Sequence, residues 1–257
     1  MSYALITGAS KGIGRAIAEE LAARGNDVLL VARSANLLTE LAQKIEHDYK
    51  VRCHYFVCDL SKQEAASEIY NWCDERKYDV HILVNNAGYG LSGSFESRAI
   101  EEHIDMINVG MLSAIKLIHL FLPKLKQQPK AYILNIGSSA AYQAVPYLST
   151  YAATKSFIVS FSRALKYELR KTNVKVTVVS PGVTDTDFPV RAKVNQKGLK
   201  TAEKIAMSPK QVAKIAVNTM FKEKAEILVG FITQATTFFV KLLPKSFSEK
   251  TASKFYQ

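Results

Sequence analysis

Tyr151 and Lys155 together could transfer a proton, through the phenol of the first and the ammonium group of the second. They stand four residues apart in a segment that predicts a helix, so both lie on one helix face. A free phenol has a pKa of about 10 and is a poor base at neutral pH unless its anion is stabilised. A neighbouring ammonium group stabilises the phenolate and brings proton transfer within reach of neutral pH. The alternative interpretation is an aromatic residue at a helix start beside a solvated lysine.

A glycine-rich turn near the amino terminus could hold a phosphate group. Gly8, Gly12 and Gly14 fall between an apolar run at residues 3–7 and a helical pattern that begins at Ile13. Gly8 lets the chain leave the strand sharply, Gly12 leaves room for a pyrophosphate, and Gly14 lets the helix pack close to the strand. The N–H groups at the helix start then face the anion. A tight loop is the simpler alternative, but the position between strand and helix favours a nucleotide.

The end of the second predicted strand, residues 27–32, indicates which nucleotide fits. In NAD sites an acidic residue about 20 positions beyond the turn binds the ribose 2′-OH. Here Arg33 and Ser34 follow the strand, and Lys11 lies in the turn itself. Two cations and a hydroxyl could bind a 2′-phosphate. The sequence therefore favours NADP(H) over an interpretation of Arg33 and Lys11 as ordinary surface cations.

Polar side chains also follow other predicted strands. Asp59 comes after residues 51–58 and could bind the adenine amino group, cap a helix that starts near Ser61, or do both. Asn85 and Asn86 follow residues 80–84, and two adjacent amides are costly to bury without partners. We expect them to tie neighbouring strands together and to floor the cofactor site. Asn108, in an apolar helix predicted over residues 100–127, needs a backbone carbonyl or a water as its partner.

Apolar runs alternate with helical patterns along the chain, and the connections between them are short. The predicted strands are residues 3–7, 27–32, 51–58, 80–84, 131–136, 174–179 and 226–229. This alternation predicts an α/β fold with one Rossmann-like, doubly wound parallel sheet and helices on both faces. No linker, repeat or composition break divides the 257 residues. We therefore expect one dinucleotide-binding and catalytic domain over residues 1–257.

Four motifs in this order resemble the short-chain dehydrogenase/reductase family: TGASKGIG at 7–14, NNAG at 85–88, YAATK at 151–155 and SPG at 180–182. The resemblance covers about residues 3–188 and is specific because the motifs occur together. It implies a catalytic tetrad of Asn108, Ser138, Tyr151 and Lys155, with Ser139 as the competing serine that the family's spacing disfavours. The implied NADP(H) site comprises Gly8, Ser10, Lys11, Gly12, Ile13, Gly14, Arg33, Ser34, Asp59, Leu60, Asn86, Ala87, Gly88, Tyr151, Lys155, Pro181, Gly182, Val183, Thr184 and Thr186.

The resemblance implies an NADPH-dependent reductase of a ketone or oxoacyl-type carbonyl. Ser138 would bind the carbonyl oxygen and Tyr151 would supply the proton, while Asn108 would keep Lys155 in place through a water. The alternative is a catalytically idle NADP-binding sensor or scaffold, which the complete tetrad disfavours. Nucleic-acid binding would need a recognition module, and the sequence shows none.

Cysteine content indicates a reducing compartment. Cys53, Cys58 and Cys73 are an odd number without metal-ligand or disulfide-framework spacing, so we expect no metal site. The first strand begins two residues after Met1, which leaves no room for a signal peptide, and no uncharged apolar run reaches about 18 residues. These features predict a cytoplasmic location.

Residues 183–207 and 231–257 lie outside the core motifs. In the first segment, Phe188, Pro189, Val190, Leu199 and Ile205 stand among lysines, and we expect a substrate lid.

The second segment is amphipathic, with Phe231, Ala235, Phe238 and Leu242 at helical spacing and lysines nearby. It could pack over the cleft or a subunit, lie on an anionic membrane, or meet an acidic acyl carrier; packing is favoured and the membrane comes second.

The net charge of +11 is concentrated in the last quarter of the chain. Residues 191–257 hold 13 of the 34 Lys and Arg but only 4 of the 23 Asp and Glu. A solvated surface is favoured over a surface that attracts an anionic partner, because these lysines are spread over several helices. The resemblance also implies a homo-oligomer, a dimer or tetramer, that pairs through the helices at 100–127 and 151–171.

Overall fold

A seven-stranded parallel sheet forms the centre of the protein, whose computed structural model describes residues 2–186 and 206–254. The strands are β1 (Ser2–Thr7), β2 (Asp27–Ala32), β3 (Cys53–Val57), β4 (Asp79–Asn85), β5 (Ala131–Ile136), β6 (Val174–Pro181) and β7 (Glu226–Val229). They lie in the order β3-β2-β1-β4-β5-β6-β7, and every neighbouring pair is parallel. The doubly wound sheet predicted from the sequence is confirmed.

Helices provide the crossover connections that parallel strands need, and the last two helices follow β7. They are α1 (Gly12–Ala22), α2 (Ala35–Tyr49), α3 (Ala65–Glu75), α4 (Ile100–Ile107), α5 (Ser113–Leu125), α6 (Ser149–Glu168), α7 (Pro209–Phe221), α8 (Phe231–Leu242) and α9 (Lys245–Ser253). Ser208 and Gln211 form a capping box at the start of α7, with Pro209 in its first turn.

Successive side chains of the central strands enter different cores on the two faces of the sheet. In β1, Ala4 and Ile6 belong to the core that α1, α2 and α7 cover. Tyr3 and Leu5 belong to the core covered by α3, α5 and α6. Burial on both faces explains why the strands are nearly continuous apolar runs in the sequence.

The strand order reverses at β1, which has β2 on one side and β4 on the other. In open α/β sheets, ligands bind beyond the carboxyl ends of the strands at such a switch point. The glycine-rich turn and the NNAG motif follow β1 and β4, so the fold brings both to this crevice.

The helix expected over residues 100–127 is interrupted. A π-helical turn, Asn108–Leu112, separates α4 from α5, and α5 ends at Leu125. The side-chain amide of Asn108 donates to the carbonyl oxygen of Ser61 at 3.2 Å, so its partner is one of the two kinds predicted. By length and composition, Ile100–Leu125 could cross a membrane. In this fold 39% of the apolar window is buried, including Leu117 and Phe121, which pack against the sheet.

The expected lid over residues 183–207 falls largely on residues 187–205, which lie outside the described residues. Its two ends are described, and they meet: Thr184 and Met207 form a parallel bridge. The N–H of Met207 donates to Val183, and the N–H of Asp185 donates to Met207. The two described ends of the segment therefore meet beside β6. The lid itself stays a prediction.

Candidate active site

The turn between β1 and α1 has glycine where a side chain would not fit or would be strained. Gly8 and Gly12 have φ values of +65° and +55°, which favour glycine. A Cβ on Gly14 would lie 2.3 Å from the Gly8 carbonyl oxygen and 2.3 Å from the Asn86 side-chain amide. The cap position of α1 is Lys11, whose side chain cannot accept hydrogen bonds, so the first N–H groups of α1 are suited to an anion.

Asn85 and Asn86 tie three strands together, as the sequence predicts. The side-chain amide of Asn86 donates to the carbonyl oxygens of Thr7 at 3.0 Å and Gly8 at 3.2 Å. The Asn85 amide donates to Asn135 Oδ1 at 2.9 Å, and the Asn135 amide donates to Ser162 Oγ at 2.8 Å. These bonds fix the carboxyl ends of β1, β4 and β5 relative to one another.

Arg33 and Asp59 face each other at the far end of the crevice, with Nη1 of Arg33 3.7 Å from Oδ2 of Asp59. Burial raises the pKa of Asp59, but hydrogen bonds from Ser61 and the charge of Arg33 outweigh it and leave that pKa lowered. Asp59 accepts from the N–H of Ser61 at 3.1 Å, whereas α3 begins only at Ala65. The expected role as a helix cap is therefore wrong, because the bond forms within the loop ahead of the helix.

Nearly all of the predicted site residues line one cavity of about 1030 Å³. Gly14 and Asn108 are the two that do not. Those on the cavity wall are Gly8, Ser10, Lys11, Gly12, Ile13, Arg33, Ser34, Asp59, Leu60, Asn86, Ala87, Gly88, Ser138, Tyr151, Lys155, Pro181, Gly182, Val183, Thr184 and Thr186. The cavity runs from the turn after β1 to the amino-terminal part of α6.

Lys155 is almost fully buried at 5% exposure, and its ammonium group donates to the Ile136 carbonyl oxygen at 2.8 Å. The ammonium lies 5.8 Å from the centre of the Tyr151 ring, one helical turn away. Burial lowers the pKa of Lys155 to about 8. Gly88 leaves space for the group, because a Cβ there would lie 3.2 Å from Nζ.

Ser138 stands directly after β5 and Gly137. Its Oγ accepts from the N–H of Ala140 at 3.1 Å and caps the short helical turn Ser139–Tyr142. An oxygen held in this way keeps its own proton to donate. Ser139 lines the same cavity, so cavity position alone does not separate the two serines.

Asn108 uses its side chain to hold the loop after β3, as the bond to Ser61 shows. The direct partner of the Lys155 ammonium is the Ile136 carbonyl, which sequence reasoning did not identify. A backbone acceptor carries no residue-type signal, and this contact could be found only from the fold. The water-mediated link between Asn108 and Lys155 stays a prediction.

Comparison with known proteins identifies the family. A family model described as short chain dehydrogenase matches residues 2–197. The chain belongs to the short-chain dehydrogenase/reductase family.

Three relatives indicate how varied this family is. Hydroxysteroid dehydrogenase-like protein 1 of Gallus gallus is 36% identical over 198 residues, covering 76% of this chain but only 59% of that protein. An uncharacterized oxidoreductase of Staphylococcus saprophyticus is 32% identical over 221 residues, covering 84% of this chain and 94% of that protein. The human protein named inactive hydroxysteroid dehydrogenase-like protein 1 is 33% identical over 222 residues, covering 85% and 65%.

Two solved structures share the fold. A 7beta-hydroxysteroid dehydrogenase has a TM-score of 0.88 at 24% identity, covering 98% of this chain and 96% of that one. A short-chain dehydrogenase from Sphingobium yanoikuyae in complex with NADPH has a TM-score of 0.82 at 26% identity, covering 95% and 96%.

In this short-chain dehydrogenase/reductase, a second tyrosine reaches the cavity. The Tyr142 hydroxyl donates to Glu226 Oε1 at 2.6 Å, and Glu226 pairs with Arg163 at 2.5 Å. Burial and the bond to Glu226 raise the pKa of Tyr142 well above its usual value. Tyr142 therefore stays protonated and hydrogen-bonded to Glu226, so it is unsuited to donate a proton to a substrate. Sequence reasoning missed Glu226 and Arg163, because their partners lie far away in the chain.

The buried ammonium of Lys155 predicts a pH effect on stability. The group loses its proton near pH 8 in the folded protein but only near 10.5 in the unfolded chain. Between those values the unfolded chain binds more protons, so this group's contribution to the free energy of unfolding rises with pH. We expect that free energy to rise less steeply for Lys155→Met than for the wild type above pH 8. Denaturant titrations at several pH values would show this, with the exposed Lys171→Met as the control; equal slopes for the wild type and Lys155→Met would contradict it.

Proposed function

We propose that this protein is an NADPH-dependent reductase that converts a ketone or oxoacyl-type carbonyl to an alcohol. The observation that carries the proposal is the meeting of Ser138, Tyr151 and Lys155 in one cavity with the glycine-rich turn. A nicotinamide cofactor supplies the hydride when bound. The turn fits the phosphates of such a group, because no side chain caps the first N–H groups of α1 and these groups are suited to an anion.

The side chains of this chain supply the other parts of the reaction. Ser138 donates a hydrogen bond to the carbonyl oxygen and holds it beside Tyr151. The Tyr151 hydroxyl gives the proton to that oxygen, and the Lys155 ammonium stabilises the resulting phenolate. The Ile136 carbonyl keeps the ammonium at this position.

The rival function is an idle NADP-binding sensor or scaffold, and the human relative with "inactive" in its name gives it weight. Ser138, Tyr151 and Lys155 are all present here, which favours catalysis. Following NADPH oxidation against a panel of ketones, oxoacyl esters and steroid-like carbonyls tests the proposal. Turnover with one class supports it, whereas tight NADPH binding without any turnover supports the rival.

The preference for NADPH rests on Arg33 and Lys11. Arg33 lies at the adenosine end, beside Asp59, and its side chain is 56% exposed, so it is free to turn toward a phosphate. Lys11 lines the cavity in the turn itself. Charge-assisted hydrogen bonds of this kind contribute about 1.5–3 kcal/mol.

Arg33→Ala should therefore weaken NADPH binding about tenfold or more and leave NADH binding nearly unchanged. Fluorescence titration of both cofactors measures this. Arg76→Ala, an exposed arginine beyond α3, is the matched control and should change neither affinity. If the wild type binds NADPH and NADH equally well, the proposed preference fails.

We also propose that the protein is cytoplasmic and forms a homo-oligomer through the α4–α5 segment and α6. A dimer or tetramer in light scattering would agree with this, and a monomer would not.

A further inference from the structure

Helices α8 and α9 line one side of the cavity, and α8 packs closely against the end of β6. Gly230, with φ of +99°, turns the chain from β7 into α8. A Cβ on Gly182 would lie 2.1 Å from Thr233 Oγ1, so these two residues pack closely. Ser248 and Ala252 are the buried residues of α9. The sequence favours packing of residues 231–257 over the cleft, and the side of α8 and α9 that lines the cavity packs in this way.

The outer face of the same segment is apolar and exposed. Seven of the fourteen exposed large apolar side chains in the described residues fall within residues 231–247. Six of them form what we call the apolar rim: Phe231, Phe238, Phe239, Leu242, Leu243 and Phe247. Phe231 is 85% exposed and Leu242 67%. No side chain described in α8 is buried, in contrast to α5, where Leu117 and Phe121 enter the core. Such a concentration on a folded surface marks an interaction site.

Positive charge lies next to the apolar rim. Lys245 and Lys250 are exposed on α9, where Glu249 is the one acidic residue. The wider segment is also basic, with 13 Lys and Arg against 4 Asp and Glu in residues 191–257. Phenylalanine and leucine flanked by lysine are typical of a helix that lies in the interface of an anionic membrane.

We propose that α8 and α9 dock this protein on an anionic lipid surface. A second copy of the chain fits less well, because a two-fold contact through the apolar rim would bring the lysines of both copies together. Anionic headgroups, in contrast, meet the lysines while the phenylalanine and leucine side chains enter the acyl boundary.

Docking through the apolar rim would also affect substrate entry, an inference that rests on the proposed reductase function. Phe239, Leu243 and Phe247 belong to the apolar rim and also line the cavity. A docked molecule would therefore open its cavity toward the bilayer, and an apolar carbonyl substrate could enter without crossing water.

Co-sedimentation of the full-length protein with vesicles tests the docking without cofactor or substrate, so its result is independent of reductase activity. We compare phosphatidylcholine vesicles with vesicles that also contain phosphatidylserine. Binding is expected only to the anionic vesicles and should weaken at 1 M salt, where the Debye length falls from about 10 Å to about 3 Å.

The triple variant Phe231→Gln/Phe238→Gln/Leu242→Gln removes exposed side chains that do not line the cavity. It should bind anionic vesicles about tenfold more weakly or worse and keep the wild-type melting temperature. Val57→Gln/Tyr167→Gln, which replaces apolar residues exposed elsewhere, is the control and should bind normally. Lys245→Gln/Lys250→Gln gives a second measurement and should reduce both the binding and its salt dependence.

Three results would overturn the proposal. The first is a folded wild type that does not sediment with anionic vesicles. The second is a triple variant that binds as the wild type does. The third is a triple variant whose oligomer size in light scattering differs from that of the wild type, together with a wild type that does not bind vesicles. That result would assign the apolar rim to contact with a second copy of the chain.

Discussion

Tyr151→Phe is expected to lose about 10²–10⁴-fold in turnover while its NADPH affinity stays close to that of the wild type. The ring of Tyr151 is buried at 9% exposure, and phenylalanine keeps the ring and its packing while removing the proton. Lys155→Ala should reduce turnover and NADPH affinity together, because the lost ammonium lies in the cavity that we propose for the cofactor.

Single-turnover kinetics at saturating NADPH measure the chemical step directly. Tyr142→Phe is the matched control, since it removes a hydroxyl from the same cavity that is already engaged with Glu226. It should lose far less activity. A Tyr151→Phe enzyme with wild-type turnover in this chemistry-limited assay would show that the proton comes from another group.

Gly14→Ala is expected to damage stability and cofactor binding at once. The added Cβ would lie 2.3 Å from both the Gly8 carbonyl oxygen and the Asn86 side-chain amide. One of these neighbours is backbone, and the other holds β4 to the end of β1. Overpacking of this kind costs about 1–3 kcal/mol, and here the strain falls on the turn that we propose as the phosphate-binding turn.

Gly110→Ala is the control for this substitution. Its Cβ would meet Thr154 Oγ1 at 3.5 Å, an ordinary contact, within the π-helical turn. We expect it to be neutral or slightly stabilising, since alanine restricts the unfolded chain. Thermal melting and NADPH titration of both variants decide the matter. If Gly14→Ala melts and binds NADPH as the wild type does, the turn is not as closely packed as the structure shows.

The sheet could be predicted from the sequence because its strands are short apolar runs separated by clear turn residues. The tie made by Asn86 could also be predicted, since an amide at a strand end needs a partner, but its partners could not. Thr7 and Gly8 lie 78 or more residues earlier in the chain. The candidate site could be predicted where side chains carry the chemistry, as at Tyr151 and Lys155.

Other features had no signal in the sequence. The apolar periodicity of residues 100–127 is that of one helix, and an inserted π-helical turn at Asn108–Leu112 hardly disturbs it. Helix α9 follows Pro244 and has few apolar residues, so only the first helix of the carboxyl-terminal segment was predicted. The acceptor for Lys155 is a backbone carbonyl, which every residue has.

The pairing of β1 with β4 also affects how this chain folds. Ala4 lies opposite Ile82, so pairing β1 with β4 closes a loop of the chain that contains β2, β3 and the helices between them. Closing a long loop costs entropy before its contacts form, which slows folding. The unit of β1, β2 and β3 has shorter closures and should form earlier, leaving β1 as an unpaired edge on which aggregation can begin. Since the Asn86 bonds to Thr7 and Gly8 join β4 to the end of β1, they form only with this long-range pairing, and we expect the proposed nucleotide binding to appear after it during refolding.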